Sequence, residues 1–387
     1  MTSNAPTFFR SLFLTLFFVA FVAGLTYVAM YRLGNWGLLG EREEVEIAQE
    51  YEEEPEEPEE PSTFPFIIPM EGREVEAAEL TFRFLGEDYS IVVEFDHRIY
   101  HGAVTAPRGF MLAADASEQE RLDGIADYYN KLTFDPEMDD VIDSALLQLR
   151  EIRDELELDS DQYVELLTKF VQSIEYDENR GFVDYDSKAL GDPRMPIQVL
   201  VDGKGDCDET VMLLAALLTR EGFATAALFF EDEQHMALGI RSEGEGFRGT
   251  GYEFVETTGI SYVSEVPNEF VGGLVLESDP VVFAFDPSEA TGSNDAEGYY
   301  SAAAVVQVAR IVAVRDSAEE AAAEKREYIE STPMDTEDFE RESALYAACF
   351  TALNSFRATV DNLGRDTGDF MDRADAIEWI EEYAWWE

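Results

Sequence analysis

A long apolar segment near the N-terminus sets the first limit on how this chain can fold. From Ser11 to Met30 there are 20 residues, nearly all of them apolar, and a helix of that length crosses the hydrocarbon core of a bilayer. A cleaved signal peptide is the alternative, but its apolar core would be shorter, and no convincing small-x-small cleavage site lies before Tyr31. We therefore expect residues 11-31 to form an uncleaved transmembrane signal anchor.

Basic residues on either side of this segment predict its orientation. Arg10 and the N-terminal amine precede it, whereas Arg32 follows it and is succeeded by dense acidic sequence. Positive charge tends to stay on the cytoplasmic side of a membrane, so residues 1-10 should form a short cytoplasmic N-terminus. The chain would then cross the cell membrane once and place its bulk outside the cell.

An acidic, proline-punctuated run separates this segment from the rest of the chain. Residues 41-62 read EREEVEIAQEYEEEPEEPEEPS, which contains too few apolar side chains to order a fold. Like charges along such a run repel one another and extend it, so we predict a tether between membrane and folded part. The folded part is predicted to comprise a domain at 75-290, with its core at 140-260, and a mostly helical C-terminal region at 291-387.

The excess of acid continues through the folded part. The chain has 83 Asp and Glu against 27 Lys and Arg, and a formal net charge of −56. Such a surface repels phosphates, so we expect no nucleic acid partner. Salt screens the self-repulsion, because the Debye length falls to about 3 Å in roughly 1 M salt. An acidic, lysine-poor composition spread along the whole chain is typical of halophilic proteins, which are built for concentrated salt. An ordinary acidic secreted protein is the alternative.

Hydrophobic patterning predicts helices first and an antiparallel sheet afterwards. Alternation of apolar and polar residues around a Gly-Glu-Asp turn predicts a β-hairpin, and apolar residues at three-and-four spacing predict helices. This order corresponds to an α+β fold. The predicted ranges are a hairpin at 78–102, helices at 117–132, 139–157, 161–175 and 207–221, strands at 224–231, 235–241, 251–256 and 281–285, a loop at 177–195, and acidic helices from residue 317 onward.

The two cysteines of the chain lie in very different contexts. Cys349 lies in an apolar stretch and is predicted to be a small buried hydrophobic residue, and two cysteines form no disulfide framework. Cys207 follows a Gly-Asp turn and opens a predicted helix, where the N–H groups and the helix dipole favour thiolate. The acids beside it, Asp206, Asp208 and Glu209, oppose this by raising the pKa of a thiol. Cys207 therefore needs a nearby proton acceptor to act as a nucleophile.

A histidine and a carboxylate follow Cys207 in the order that such chemistry requires. The chain has three histidines, of which His97 and His101 lie in the predicted hairpin. His235 opens a strand 28 residues after Cys207. A third group normally orients the imidazole, and Glu256 at the end of the next strand is a candidate.

The segments around Cys207 and His235 resemble those of a known protein family. The run from Arg194 to Glu209, RMPIQVLVDGKGDCDE, resembles the cysteine segment of the transglutaminase-like superfamily, and QHMAL around His235 resembles the strand that bears the family histidine. The resemblance covers about residues 140 to 260, and to 290 at most. It implies a papain-like core in which a Gly-Asp-Cys turn opens the central helix.

The resemblance also implies roles for individual residues. Cys207 would be the nucleophile and His235 the base, while the third member is usually an Asp followed by Pro and Ser or Thr. Glu256 occupies the expected place on the following strand, although Glu replaces Asp. Asp286, followed by Pro-Ser, matches the dipeptide better but comes 30 residues later, and is the alternative third member. The segment around Gln172 is similar to one in prokaryotic relatives, where this side chain could donate to an oxyanion.

These observations lead to two expectations of function. The first is a thiol acyl-transfer enzyme that acts on amide bonds of a protein or peptide substrate, as a peptidase or amidase if water is the acceptor, or by cross-linking if an amine is. The second is a non-catalytic surface binding module that retains the fold. We predict no cofactor. Ca²⁺ could bind through the oxygens of Asp177, Asp184, Asp186 and Asp192, but such clusters arise by chance in an acidic chain, and no metal site is assigned.

We expect the free energy of unfolding to rise as KCl is increased from about 0.1 M to several molar, because screening removes repulsion among acidic side chains. Thermal unfolding of the full chain in detergent, followed by circular dichroism, measures this. Sucrose at matched osmolality is the control for general solute effects. A melting temperature that is independent of KCl would contradict a fold adapted to concentrated salt.

Overall fold

The computed structural model describes residues 67–71, 75–106, 116–177, 193–268, 270, 273–286 and 298–356, together with 360–361, 364–365, 373 and 376–377. The predicted anchor at 11-31 and the tether at 41-62 lie outside these residues. Within the described part of the chain, no helix combines the length and the apolar character needed to cross a membrane.

The described residues form a mixed α and β structure with antiparallel sheets. In chain order, the helices and strands are β1 (Val75–Phe84), β2 (Glu87–Asp96), α1 (His97–Thr105), α2 (Glu118–Thr133), a 3-10 turn (Pro136–Met138), α3 (Asp139–Glu155), α4 (Ser160–Gln172), β3 (Glu175–Tyr176), α5 (Pro196–Asp202), β4 (Lys204–Gly205), α6 (Cys207–Arg220), β5 (Thr225–Phe230), β6 (His235–Arg241), a 3-10 turn (Phe247–Gly249), β7 (Tyr252–Val255), β8 (Val281–Ala284), α7 (Ala302–Ser331), α8 (Thr336–Phe356), β9 (Val360–Asp361) and β10 (Gly364–Arg365).

The N-terminal hairpin is shorter than the sequence predicts. Strands β1 and β2 pair along their full lengths around a two-residue turn, in which Leu85 and Gly86 both have positive φ, as the right-handed twist of a tight hairpin requires. The predicted range extends to residue 102, but from His97 the chain is helical. Asp96 begins that helix, since its carboxylate accepts a hydrogen bond from the backbone N–H of Arg98 at 2.9 Å.

A four-stranded antiparallel sheet and helix α6 form the centre of the fold. The strand order is β7-β6-β5-β8, and every residue from Val211 to Thr219 of α6 is buried. The predicted helix at 207–221 and the four predicted strands are confirmed to within a few residues. One hydrophobic core joins the hairpin, helices α2 to α6 and the sheet, so burial of α6 on all sides fixes the position of its first residue.

Two helices differ from the expectations. Helix α5 is absent from the predicted ranges, although Pro196 at its first turn and Gly203 after its last, with φ of 66°, are ordinary helix boundaries. The C-terminal helix begins at Ala302 and not at 317. Its first half is apolar and buries Val308 and Ile311. The prediction was based on the acid-rich second half alone and therefore placed the start too late.

A lysine in helix α4 has an unusual protonation equilibrium. Burial lowers the pKa of Lys169 to about 7, although Glu265 opposes this. The unfolded chain would keep this lysine protonated up to its ordinary pKa of 10.5. Between these two values the unfolded state binds more protons than the folded state, so this group makes the free energy of unfolding rise with pH across that interval.

We expect Lys169→Met to remove this rise. The free energy of unfolding of wild type minus that of the variant should increase as the pH is raised from about 7 to about 10. Urea unfolding at several pH values in concentrated KCl measures it. Lys325→Met, which removes an ammonium group 2.7 Å from Glu342, is the matched control and should not change the slope. Parallel curves for wild type and Lys169→Met would contradict the assignment.

Candidate active site

A buried ion pair shapes the turn that leads into Cys207. The side chain of Glu209 is 0% exposed, and its carboxylate accepts from the backbone N–H of Arg194 at 2.6 Å and from Nη1 of Arg194 at 3.0 Å. The same carboxylate accepts from the backbone N–H of Asp206 at 3.1 Å, while Asp206 accepts from the N–H of Glu209 at 3.3 Å. This reciprocal capping box satisfies two N–H groups at the start of α6 and holds Cys207 as its first helical residue.

Arg194 joins this turn to two other elements. Its Nη2 lies 2.8 Å from the carboxylate of Asp177 and its Nε 3.1 Å from that of Asp202. Lys204 also lies 3.6 Å from Asp177. This role of Arg194 and Glu209 was not predicted from the sequence. The capping-box spacing of Asp206 and Glu209 was a usable signal, but no spacing rule indicates an arginine partner that precedes a helix.

The surroundings of Cys207 favour the protonated thiol. Burial is the main cause that raises the pKa of Cys207, and Asp208 and Asp206 raise it further. A hydrogen bond from the backbone N–H of Met236 to the sulfur acts in the opposite direction but does not outweigh them. The sulfur therefore lies against the start of β6, as a thiol that needs a base to become a nucleophile.

The environment of Asp208, the residue after Cys207, favours its protonated form. Burial raises the pKa of Asp208 well above its usual range, and the neighbouring Asp206 raises it further by a shared hydrogen bond and by its charge. At a given pH, Asp208 is therefore protonated to a greater extent than an exposed aspartate would be. The hydroxyl of Tyr129 donates to Asp208 at 3.1 Å, which fixes the orientation of this pair from helix α2.

His235 and Glu256 meet at one end of the sheet. Leu238 pairs with Val255 across β6 and β7, so the first residue of β6 and the residue after β7 lie at the same sheet end. Nε2 of His235 is 3.3 Å from Oε2 of Glu256, and both side chains are buried. A proton on Nε2 satisfies this contact and leaves Nδ1 as the basic nitrogen.

Hydrogen bonds orient the carboxylate of Glu256. Its Oε1 accepts from the backbone N–H of Thr258 at 2.6 Å, from that of Gly259 at 3.2 Å and from the hydroxyl of Thr258. These donors leave Oε2 facing the imidazole of His235. On its other side the imidazole packs against Phe270, with ring centroids 4.9 Å apart, so an apolar cover limits the access of water to the pair.

Gln172 has a different role from the one predicted. Its Nε2 donates to the carbonyl oxygens of Glu256 at 2.8 Å and Ser261 at 3.1 Å. Both amide hydrogens are therefore used to hold the backbone around Glu256, and the predicted oxyanion donor acts instead as a tether. A second tether joins this segment to the cysteine helix, because the hydroxyl oxygens of Thr210 and Thr257 are 2.9 Å apart.

The structure separates the alternative acid, Asp286, from this group. Ala284 pairs with Ala226 near the start of β5, whereas His235 pairs with Phe230 at the end of that strand. Asp286 is exposed beyond β8, at the opposite end of the sheet from His235, and its backbone N–H donates to Asn130 at 2.8 Å.

The remaining candidate residues lie elsewhere. His97 and His101 are in α1, with ring centroids 4.1 Å apart, and Cys349 is in α8. Of the four aspartates considered for Ca²⁺, Asp177 binds Arg194, and the other three, at positions 184, 186 and 192, lie outside the described residues. Among the residues that the structure describes, no group of three or more His, Cys, Asp or Glu side chains is arranged to hold a metal ion.

We expect Arg194→Met to lower the free energy of unfolding by about 3–5 kcal/mol, because it leaves the carboxylate of Glu209 buried without its cation. Urea unfolding in concentrated KCl measures the loss. Arg326→Met is the matched control, since Arg326 pairs with Glu330 at 3.0 Å on the surface of α7, where solvent screens the pair and its loss should have a much smaller effect. Equal effects of the two substitutions would show that the buried pair is not a principal support of the turn.

Comparison with known proteins adds no further assignment. A scan against protein-family models, a search of curated proteins and a search of solved structures each found no match. The candidate site accordingly rests on the geometry of Cys207, His235 and Glu256 and on the hydrogen bonds around them.

Proposed function

We propose that this chain is a transglutaminase-like thiol protein that transfers acyl groups from peptide amides, with Cys207 as nucleophile, His235 as general base and acid, and Glu256 as the group that orients the imidazole. The observation that carries the proposal is the contact of His235 with Glu256 at the sheet end where the N–H of Met236 reaches the sulfur of Cys207. A papain-like core, with a central cysteine helix packed on an antiparallel sheet, is the fold we infer for it.

The raised pKa of Cys207 favours one version of the chemistry. Because the resting sulfur is a thiol, the proton moves to Nδ1 of His235 as the sulfur attacks the amide carbonyl. The imidazolium that forms is stabilised by the carboxylate of Glu256. The tetrahedral adduct then expels the amine, which takes the proton from His235, and leaves an acyl thioester on Cys207.

The second half of the reaction regenerates the thiol. Water or an amine attacks the thioester while His235 accepts its proton, and the proton returns to the departing sulfur of Cys207. Water gives hydrolysis of the substrate amide, and an amine gives a new amide bond. Both acceptors remain part of the proposal, which also places the protein outside the cell on a membrane anchor, adapted to concentrated salt, with protein or peptide partners and no nucleic acid.

A non-catalytic binding module is the second candidate, and the burial of the site favours it. The side chains of His235 and Glu256 are 7% and 1% exposed, and Phe270 covers the imidazole. A site that binds peptide segments without reaction could keep this arrangement as a structural support.

Activity assays on single-residue variants separate the two candidates. We expect His235→Ala to lower amide turnover by about 10²–10⁴-fold and Cys207→Ala to abolish it. Glu256→Gln should also lower it. His101→Ala is the matched control, since this histidine lies in α1. Peptide mixtures in molar KCl are the substrate, with new amino termini reporting hydrolysis and hydroxamate formation from hydroxylamine reporting transfer to an amine.

Each outcome of the assay has a distinct meaning. Retention of turnover in Cys207→Ala rejects the thiol mechanism, whereas peptide binding without any turnover in wild type supports the binding module. Iodoacetamide alkylation of Cys207 tests the state of the thiol separately. Because its pKa is raised, we expect alkylation of wild type to require alkaline pH, above the free thiol value of about 8.5. Rapid alkylation at neutral pH that is lost in His235→Ala would instead indicate a resting ion pair.

A further inference from the structure

The loop that follows Glu256 makes contacts with two helices, α4 and α7. We call residues 256–265 the acid loop. From one side, Gln172 at the end of α4 donates to the carbonyls of Glu256 and Ser261. Other residues of the loop contact helix α7, which lies outside the part of the chain that carries the family resemblance.

An ion pair joins helix α7 to the acid loop. Nη1 of Arg315 is 2.6 Å from Oε1 of Glu265, and these side chains are 15% and 6% exposed. The other oxygen of Glu265 accepts from the backbone N–H of Tyr262 at 3.1 Å. Glu265 therefore links the helix directly to the backbone of the loop. The charged groups near this pair are Lys169 of α4 and Asp316, which lies 3.6 Å from Nε of Arg315.

Apolar contacts support the same docking. Tyr262 of the acid loop is buried in a cluster with Val308, Ile311 and Val314 of α7. The start of this helix is independently attached to α4, because the backbone N–H of Ser301 donates to Asp161 at 3.0 Å. Helix α7 is thus attached to α4 at its start and packs against the acid loop further along.

The acid loop adopts a conformation that needs such support. Ser264 has φ of 73°, which is unfavourable for a residue with a Cβ and persists where surrounding contacts determine it. Its backbone N–H donates to the carbonyl of Phe254 at 2.8 Å, so the loop turns back onto strand β7. The next residue is Glu265, whose pairing with Arg315 holds this return.

We propose that Arg315 and Glu265 are positioning residues for Glu256, so that helix α7 completes the candidate active site and its release would switch the site off. The chain of contacts runs from Arg315 through Glu265 and Tyr262 to Ser261, which shares the amide of Gln172 with Glu256. This inference rests on the proposed function in so far as it concerns catalysis. The orientation of Glu256 toward His235 is a structural consequence that can be measured without it.

The test compares Arg315→Gln with two reference variants in the full chain. Glu256→Gln first defines the signature of a lost contact in the ¹⁵N and ¹H signals of the His235 ring, which report whether Nε2 carries a protected proton. We expect Arg315→Gln to reproduce that signature in part. We expect the His235 signals of Arg315→Lys to be closer to those of wild type. Arg326→Gln is the matched control on the same helix, in an exposed pair with Glu330, and should leave the signals unchanged.

Turnover provides the second readout. We expect Arg315→Gln to lower kcat by about 10²-fold with little change in KM, because a displacement of about 1 Å in a catalytic group has an effect of that size. If Arg315→Gln does not fold, Glu265→Gln tests the same pair with a neutral side chain of equal size. Signals of His235 that match wild type in a folded pair variant overturn the proposal. A wild type without turnover in which Arg315→Gln still alters those signals refutes the proposed function and leaves the positioning role standing.

Discussion

Glu209 is buried without exposure to solvent, and burying a carboxylate is costly unless charged partners or hydrogen-bond donors surround it. Arg194 supplies the cation and two donors, and the N–H of Asp206 supplies a third. In a chain with a net charge of −56, this guanidinium also meets Asp177 and Asp202. The start of helix α6, and with it Cys207, takes its position from this pair, so the geometry of the whole candidate site depends on it.

Helix α6 and the sheet then position the candidate site residues, which come from separate parts of the chain. Burial of α6 on all sides fixes the helix against β6, and the N–H of Met236 reaches the sulfur of Cys207 as a result. Antiparallel pairing of β6 with β7 places Glu256 beside His235. Each contact joins residues from different elements, and a rigid core is what holds them in register.

Electrostatics near the sulfur is governed by burial more than by the number of acids. Glu209 is compensated by Arg194, and burial raises the pKa of Asp208, which favours its neutral form. The thiol pKa is nevertheless raised, chiefly by burial. In the proposed mechanism, transfer of the proton to His235 during attack fits this environment better than a resting thiolate, and the same burial is the reason why a binding role is the second candidate.

The sequence by itself determined the local features: Cys207 at the start of a helix with its capping box, the positions of the four sheet strands, and a carboxylate at the end of the strand after His235. These depend on interactions within a few residues, which periodicity and spacing express directly. Only the tertiary structure decided between Glu256 and Asp286, because strand order places them at opposite ends of the sheet. It also decided the role of Gln172 and the partners Arg194 and Arg315, because contacts between side chains distant in sequence arise from packing and leave no periodic pattern.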